Sequence, residues 1–387
     1  GLPRALVLLV VVAALVIVLA GARSASAILA PAFFAFNMVL TTRPLQHWLL
    51  RHKVPRPLVV VIVMVVLYSV LLAVFGMLGG ALVRAAEELP RYGSQFIVLF
   101  DNTVAWLEAR GLSQTELLQH LQAGLDFGRV VSLTQAVLGF ISGFGTQLTF
   151  IVITLFFLVI DTGDDRKRIS LLVSRRPELA TALQGFSVNV RRYWVVSTVF
   201  GLIVAVIDYV GLLIIGVPLA FTWGILAFVT NYIPNIGFVL GLVPPALVAL
   251  LEGGVKDMVW VIVLYAVANT VLQTFIQPKF TSDALGINTT ANFMSLAVWT
   301  YVMGPLGALI AVPLTMFLKA VVIDADPGVR WLNAFLNSEP AVAREMAVAG
   351  EKAQTVDGRQ TSGTSAAPPG PEPETGGSAP RPSKADP

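Results

Sequence analysis

Not one cysteine occurs in the 387 residues, which removes disulfides, thiolate metal ligands and thiol nucleophiles together and leaves the redox compartment unread. Charge is scarce as well: Asp, Glu, Lys and Arg make up 13% of the chain, against about a quarter in an ordinary soluble domain. The three histidines, His47, His52 and His120, lie outside the apolar runs and lack metal-ligand spacing, and neither His-Glu-x-x-His nor Gly-x-Ser-x-Gly occurs. Without a Gly-x-x-x-x-Gly-Lys-Ser/Thr segment, ATP hydrolysis has no site in this chain. No cofactor signature and no metal-ligand set stands out, so the sequence reads as neither an enzyme nor a metalloprotein. No long basic run points to nucleic acid, and the net charge of +3 reflects basic loops that flank apolar segments.

What is present is hydrophobicity. At 56% hydrophobic residues and a mean hydropathy of +0.78, the chain is a polytopic membrane protein. Apolar runs lie near residues 5–21, 26–42, 57–80, 146–160, 194–216, 219–251, 258–277 and 292–323, each near or above the ~20 residues that span a bilayer as helix. Their continuity predicts an all-α fold of about eight hydrophobic segments, not the short alternating strands of a barrel. Arg4, the apolar run after it and Ala25-Ser26-Ala27 have the outline of a cleavable signal peptide. A second apolar stretch, residues 28–40, follows at once and favours a tight helical pair.

Loop charge gives the expected orientation. Residues 43–56 carry Arg43, Arg51, Lys53 and Arg56 without an acid, and residues 161–192 carry seven Lys and Arg, among them Arg191 and Arg192. Both connections are expected to face the cytoplasm, with Arg191 and Arg192 anchoring that interface and both termini on the same side. The chain then divides into first membrane helices (1–80), an extracytoplasmic amphipathic helical segment (81–144), a transport core (145–323), a cytoplasmic post-membrane segment (324–350) and a tail (351–387). In the amphipathic segment, Phe96, Leu99, Phe100, Val104 and Leu107 share one helical face, and Ser113-Gln114-Thr115-Glu116 has the form of a capping box. This segment reads as a small helical cap, with gating or assembly as its alternative use. The Gly-, Pro- and Ser-rich tail cannot bury enough apolar surface to order itself.

The polar, proline-broken stretch Thr230-Asn231-Tyr232-Ile233-Pro234-Asn235-Ile236-Gly237 lies between apolar runs. Hydrocarbon leaves backbone groups unsatisfied, so irregular chain at membrane depth must be wrapped in protein or line a wet cavity. Paired broken helices are where transporters place their sites. Tyr301-Val302-Met303-Gly304-Pro305-Leu306-Gly307 is a second such break, and Val312-Pro313 beyond it loosely echoes Val243-Pro244 beyond the first. Both are expected to be re-entrant-type elements. Asp208, two-thirds along the run 195–216, would cost about 2.5–3.5 kcal/mol at a helix centre and is therefore expected to face the bundle interior or water. It is the candidate proton or cation relay, or else an aspartate satisfied by a neighbouring hydroxyl or amide. Asn269, Gln273 and Gln277 recur every four residues on one helical face, which is either glue between helices or the wall of a polar path. The pairs Gly76/Gly80, Gly139/Gly143 and Gly237/Gly241 read as close-packing devices.

Several motifs in fixed order carry a resemblance. They are Arg51-His52-Lys53-Val54-Pro55-Arg56 after Pro31 and Pro44, Phe156-Phe157-Leu158-Val159-Ile160-Asp161, Val190-Arg191-Arg192-Tyr193 and Gly216-Val217-Pro218-Leu219-Ala220. Tyr232-Ile233-Pro234-Asn235-Ile236-Gly237, Gln277-Pro278-Lys279, and Gly304-Pro305-Leu306-Gly307 leading to Ala311-Val312-Pro313-Leu314 complete the set. Over most of residues 5–322 the chain resembles the autoinducer-2 exporter family of bacterial permeases. The resemblance implies a multi-pass inner-membrane transporter, a homo-oligomer with a pentamer as one form, that exports a small polar signalling molecule. Some relatives are associated instead with sodium/proton antiport. Gly286-Ile287-Asn288-Thr289-Thr290, where relatives often carry a proline after the glycine, and the long tail are departures.

The resulting expectation is a secondary transporter in a lipid bilayer, coupled to a proton or sodium gradient. Asn231, Pro234, Asn235 and Gly237, with Gly304, Pro305 and Gly307, would form the broken substrate-facing elements, and Asn269, Gln273 and Gln277 the path wall. The alternatives are a monovalent cation/proton antiporter and, from another class, a non-transporting membrane scaffold.

Overall fold

The computed structural model describes residues 3–108, 127–161, 165–234, 236–277 and 288–333, and every regular element among them is helical. Asn235, the capping box at Ser113, Gly286 with Ile287, and the tail lie outside the described residues. Helix α1 (Arg4–Ser24) turns at Ala25 into α2 (Ser26–Arg51), followed by α3 (Arg56–Glu108), α4 (Phe127–Asp161), the short α5 (Asp165–Arg175) and α6 (Pro177–Ile215). Then come α7 (Ala220–Thr230), α8 (Gly237–Asn269) with a π-helical extension over Thr270–Ile276, α9 (Thr289–Leu309) and α10 (Ala311–Leu318). A second π-helix, Lys319–Asp324, and a 3₁₀ turn, Pro327–Leu332, close the described chain.

Ser26–Arg51, Arg56–Glu88, Pro177–Ile215 and Gly237–Gln273 are each long and apolar enough to cross a membrane. The pair Thr289–Leu309 and Ala311–Asp324 is apolar enough when taken together and is bent by 114° at its junction, the form of a broken span or a re-entrant loop. Three shorter apolar helices, Leu9–Ser24, Gly145–Asp161 and Ala220–Thr230, bring the hydrophobic segments to the eight expected. Their division differs from the apolar runs in two places. The run 219–251 is cut at residues 231–236, and its second part joins the run 258–277 within α8. The two halves of α8 meet at Gly254 (φ 78°, ψ −168°), a conformation open in practice to glycine alone. Glu252, Lys256 and Asp257, the only charges in residues 209–278, cluster at this break. Helix α3 differs too: its 53 residues form about 80 Å of continuous helix, well over twice the bilayer core. Residues 81–108 thus prolong a membrane helix, because the charges Arg84, Glu87 and Glu88 end its apolar run without ending the helix, which continues through Pro90 with that one N–H missing from the ladder.

The larger apolar core joins α2, α3, α4, the first half of α6 and the α9–α10 pair, through side chains such as Phe34, Val63, Leu155, Trp194 and Leu306. A second core joins the end of α6 to α7 and α8 through Leu212, Trp223, Ala249, Val261 and Tyr265. Helix α6 links them by facing inward at Ser197, Gly201, Val204, Asp208 and Leu212, three or four residues apart, while Val195, Val199, Leu202, Val206 and Leu213 point outward. So large an outer apolar stripe suits lipid, not water.

Candidate functional site

Helix α6 ends because Gly216 adopts a left-handed conformation (φ 92°) and Pro218 cannot continue a helical ladder. The N–H groups of Gly216 and Val217 both donate to the Leu212 carbonyl, at 3.0 Å, and the chain turns back as α7 along α6. Helix α7 stops at Thr230, where Pro234 removes a donor four residues on. The irregular turn that follows is held locally: Ile233 N–H donates to the Thr230 carbonyl (2.8 Å) and Gly237 N–H to the Ile233 carbonyl (2.9 Å). Gly237 is needed here for space, since a Cβ would collide with the Thr230 carbonyl.

Side chains from α6 and α8 then fix this break in position. Tyr193 donates to the Tyr232 carbonyl (2.9 Å), and the Tyr232 and Thr198 hydroxyls bond to each other (2.7 Å). The Asn231 amide reaches the Ser197 carbonyl (3.3 Å) across Gly201, where a Cβ would stand 2.9 Å from that amide nitrogen. From the π-helix, Gln273 donates to both Asn231 Oδ1 and Asn269 Oδ1, each at 2.7 Å, and Asn269 donates to the Tyr265 carbonyl (2.8 Å). Single π turns inside helices mark functional positions more often than chance. Here the π turn carries the residue that ties helix α8 to the break preceding it.

Behind this amide network lies a small void bounded by Val204 and Asp208 of α6, Thr230, Asn231, Phe238, Tyr265 and Asn269. Its volume is about 10 Å³, close to the least that holds one water molecule. Asp208 is fully buried, at 0% exposure. Neither of its carboxylate oxygens, nor the Tyr265 hydroxyl, has a hydrogen-bond partner among the described residues. No Lys, Arg or His lines the void. A buried carboxylate with neither a cation nor donors is strongly disfavoured, so the group calls for a proton, a water or a small cation. The void admits any of these but no organic solute.

Of the residues singled out in sequence, Asp208, Asn231, Asn269 and Gln273 come together here, with Pro234 and Gly237 building the turn above them. Gln277 ends the π-helix, with its N–H on the Leu272 carbonyl (2.7 Å), and does not line the void. Arg191 and Arg192 sit four and more turns from Asp208 along α6, the first half-buried and the second exposed. Gly304, Pro305 and Gly307 belong elsewhere. Gly304 (φ 69°, ψ −154°) breaks α9, and Gly307 packs where a Cβ would strike the Trp299 carbonyl. The surrounding Leu306, Ile310 and Ala311 are in the larger apolar core. The polar groups at this second break satisfy one another: Trp299 Nε1 donates to Thr315 Oγ1 (3.0 Å), Ser295 Oγ donates to the Ala311 carbonyl (3.2 Å), and the Ser295 and Thr315 hydroxyls are bonded.

Sequence reasoning passed over Tyr265 and Thr230. Tyr265 had a signal, because the four-residue stripe Asn269–Gln273–Gln277 extended one step back reaches it. Thr230 was read only as the start of the break, and its hydroxyl caps its own helix by donating to the Leu226 carbonyl (2.9 Å).

Comparison with known proteins adds what geometry alone does not carry. The model of a family described as AI-2E family transporter matches residues 6–325. The chain is 29% identical over 315 residues to the putative transport protein YhhT of Escherichia coli K12, covering 81% of this chain and 89% of that protein. It is 29% identical over 305 residues to the AI-2 transport protein TqsA of the same organism, covering 79% and 88%. A putative transport protein of Haemophilus influenzae is 25% identical over 324 residues, covering 82% and 92%.

Proposed function

The chain belongs to the AI-2E family of transporters, and on that ground we propose that this multi-pass membrane transporter exports a small polar solute of the autoinducer-2 kind, using Asp208 as its ion-coupling group. The similarity to the AI-2 transport protein TqsA supports the solute class. The observation that carries the coupling role is the unpartnered, fully buried carboxylate beside a water-sized void. Taking up a proton relieves the burial cost of that charge, and releasing it restores the cost, so proton occupancy biases how α6, α7 and α8 pack. The turn between α7 and α8 is the element able to respond, because side-chain hydrogen bonds to α6 hold it alongside the packing of the Tyr232 ring on Trp194.

In this conformation the solute path is closed at Asn231, Asn269 and Gln273, whose amides bond to protein instead of solute. Opening requires Gln273 to release Asn231. Those amides, with Pro234, Asn235, Gly237 and Gln277, then face the path, while Gly304, Pro305 and Gly307 serve as the rigid bend against which the turn moves. The basic loops at 43–56 and 161–192, with Arg191 and Arg192, set the cytoplasmic side of the bacterial inner membrane, and the functional unit is a homo-oligomer, with a pentamer as the form to test. A second reading, monovalent cation/proton antiport, is favoured by one observation, that the void admits an ion and no larger solute. Flux of autoinducer-2 in proteoliposomes, with and without proton and sodium gradients, separates them: gradient-driven solute movement supports export, and cation-linked proton movement without solute supports antiport. Silence of both would favour a membrane scaffold.

A further inference from the structure

Away from this site, α1 and the first half of α9 enclose a long groove of about 880 Å³, within the range of small-molecule sites, about 300–1,000 Å³. Its walls are apolar over most of their length, from Val16, Leu19 and Ala20 on one side and Val298 and Val302 on the other. Polar groups gather at one end only. There the Arg23 guanidinium lies over the Tyr301 ring, 4.1 Å from its centroid, with Ser24 beside it. Such a contact orients the cation without neutralising it.

The charge at Arg23 has no acid to answer it among the described residues. No acid occurs before Glu87, and residues 284–318 contain no charged side chain at all, so neither wall supplies a counter-ion. Among the described residues Arg23 makes no ion pair. An apolar channel capped at one end by a guanidinium without an ion-pair partner among the described residues is the complement of an amphiphile with an anionic head; the Ser24 hydroxyl beside it donates to the Ala20 carbonyl (3.1 Å). The stretch from Val16 to Arg23 is about 10 Å of helix, enough for the upper part of an acyl chain. Helix α1 is exposed at Leu9, Val12 and Ile17 as well as at Val16 in the groove, an apolar surface suited to lipid.

We propose that the α1–α9 groove binds one anionic phospholipid, its phosphate on Arg23 and an acyl chain along Val16, Leu19 and Val298. A basic side chain near an anionic headgroup contributes about a fivefold preference over a zwitterionic one. The site is separate from Asp208, and its test does not depend on solute transport.

The test is native mass spectrometry of the full chain released from vesicles of equimolar phosphatidylglycerol and phosphatidylcholine. The wild type is expected to retain one phosphatidylglycerol with about fivefold preference. Arg23→Gln is expected to retain both lipids equally, Val298→Trp to lose retained lipid by filling the groove, and Arg51→Gln, a surface arginine away from the groove, to match wild type. Inorganic phosphate at millimolar concentration is expected not to displace the lipid, since it offers nothing to the apolar walls. Equal retention by wild type and Arg23→Gln overturns the proposal. So does displacement by phosphate alone, and so does a change of oligomer mass in Val298→Trp with lipid retention intact, which would assign the groove to a second copy of the chain.

Discussion

Two helix breaks that look alike in sequence, the turn at 231–236 and the bend around Gly304, differ in what they leave unsatisfied. Both depend on a glycine that no larger residue can replace, Gly237 against the Thr230 carbonyl and Gly307 against the Trp299 carbonyl. Around the second break the buried polar side chains find partners: Trp299, Ser295 and Thr315 close on one another within the larger apolar core. Around the first, the amides of Asn231, Asn269 and Gln273 are likewise paired, yet Asp208 and Tyr265 face a void with no partner. A broken helix is thus a backbone event that serves either packing or chemistry. The difference lies in the side chains that surround it.

The largest expected effect follows from removing the carboxylate at the first break. Asp208→Asn keeps the shape and cannot ionise, so coupled flux in proteoliposomes is expected to fall to the level of empty vesicles. Its melting temperature in detergent is expected to stay equal or rise, because an unpaired buried charge costs stability. Next come the two glycines. Gly237→Ala and Gly307→Ala are each expected to cost about 1–3 kcal/mol or more by overpacking, read as lost thermal stability. Gly241→Ala is expected to cost less than either, since its Cβ would meet Thr230 Oγ1 at 3.0 Å, a contact the hydroxyl can yield.

The helical architecture was legible in sequence because lipid imposes one rule everywhere: long apolar runs, with charge confined to their ends. Asp208 was legible for the same reason, as the exception inside a run, and the inward stripe Ser197–Gly201–Val204–Asp208–Leu212 explains how the fold tolerates it. What escaped was pairing over distance. Gln273 meets Asn231 across 42 positions, and no periodicity announces which partner an amide will find. The pairing at the second break also escaped, since Gly304 and Pro305 report that the ladder stops but not that Trp299 and Thr315 close over the gap. Gly254 was overlooked because the apolar runs on either side already suggested a loop there, whereas the ladder resumes directly after it.

Smaller effects sharpen the contrast. Gln273→Leu leaves the acceptors of Asn231 and Asn269 unpaired and is expected to cost about 1–3 kcal/mol, with reduced flux per folded molecule. Trp299→Phe removes one hydrogen bond at the second break and is expected to cost about 0.5–1.5 kcal/mol, with flux per folded molecule unchanged. Equal flux losses in these two variants would erase the distinction between the breaks.

The most direct measurement is gradient-driven flux of autoinducer-2, with internal pH recorded, in proteoliposomes of wild type, Asp208→Asn and Trp299→Phe matched for folded protein. The account predicts solute and proton movement in wild type and Trp299→Phe and neither in Asp208→Asn. Flux in Asp208→Asn that still follows the imposed pH gradient would contradict it.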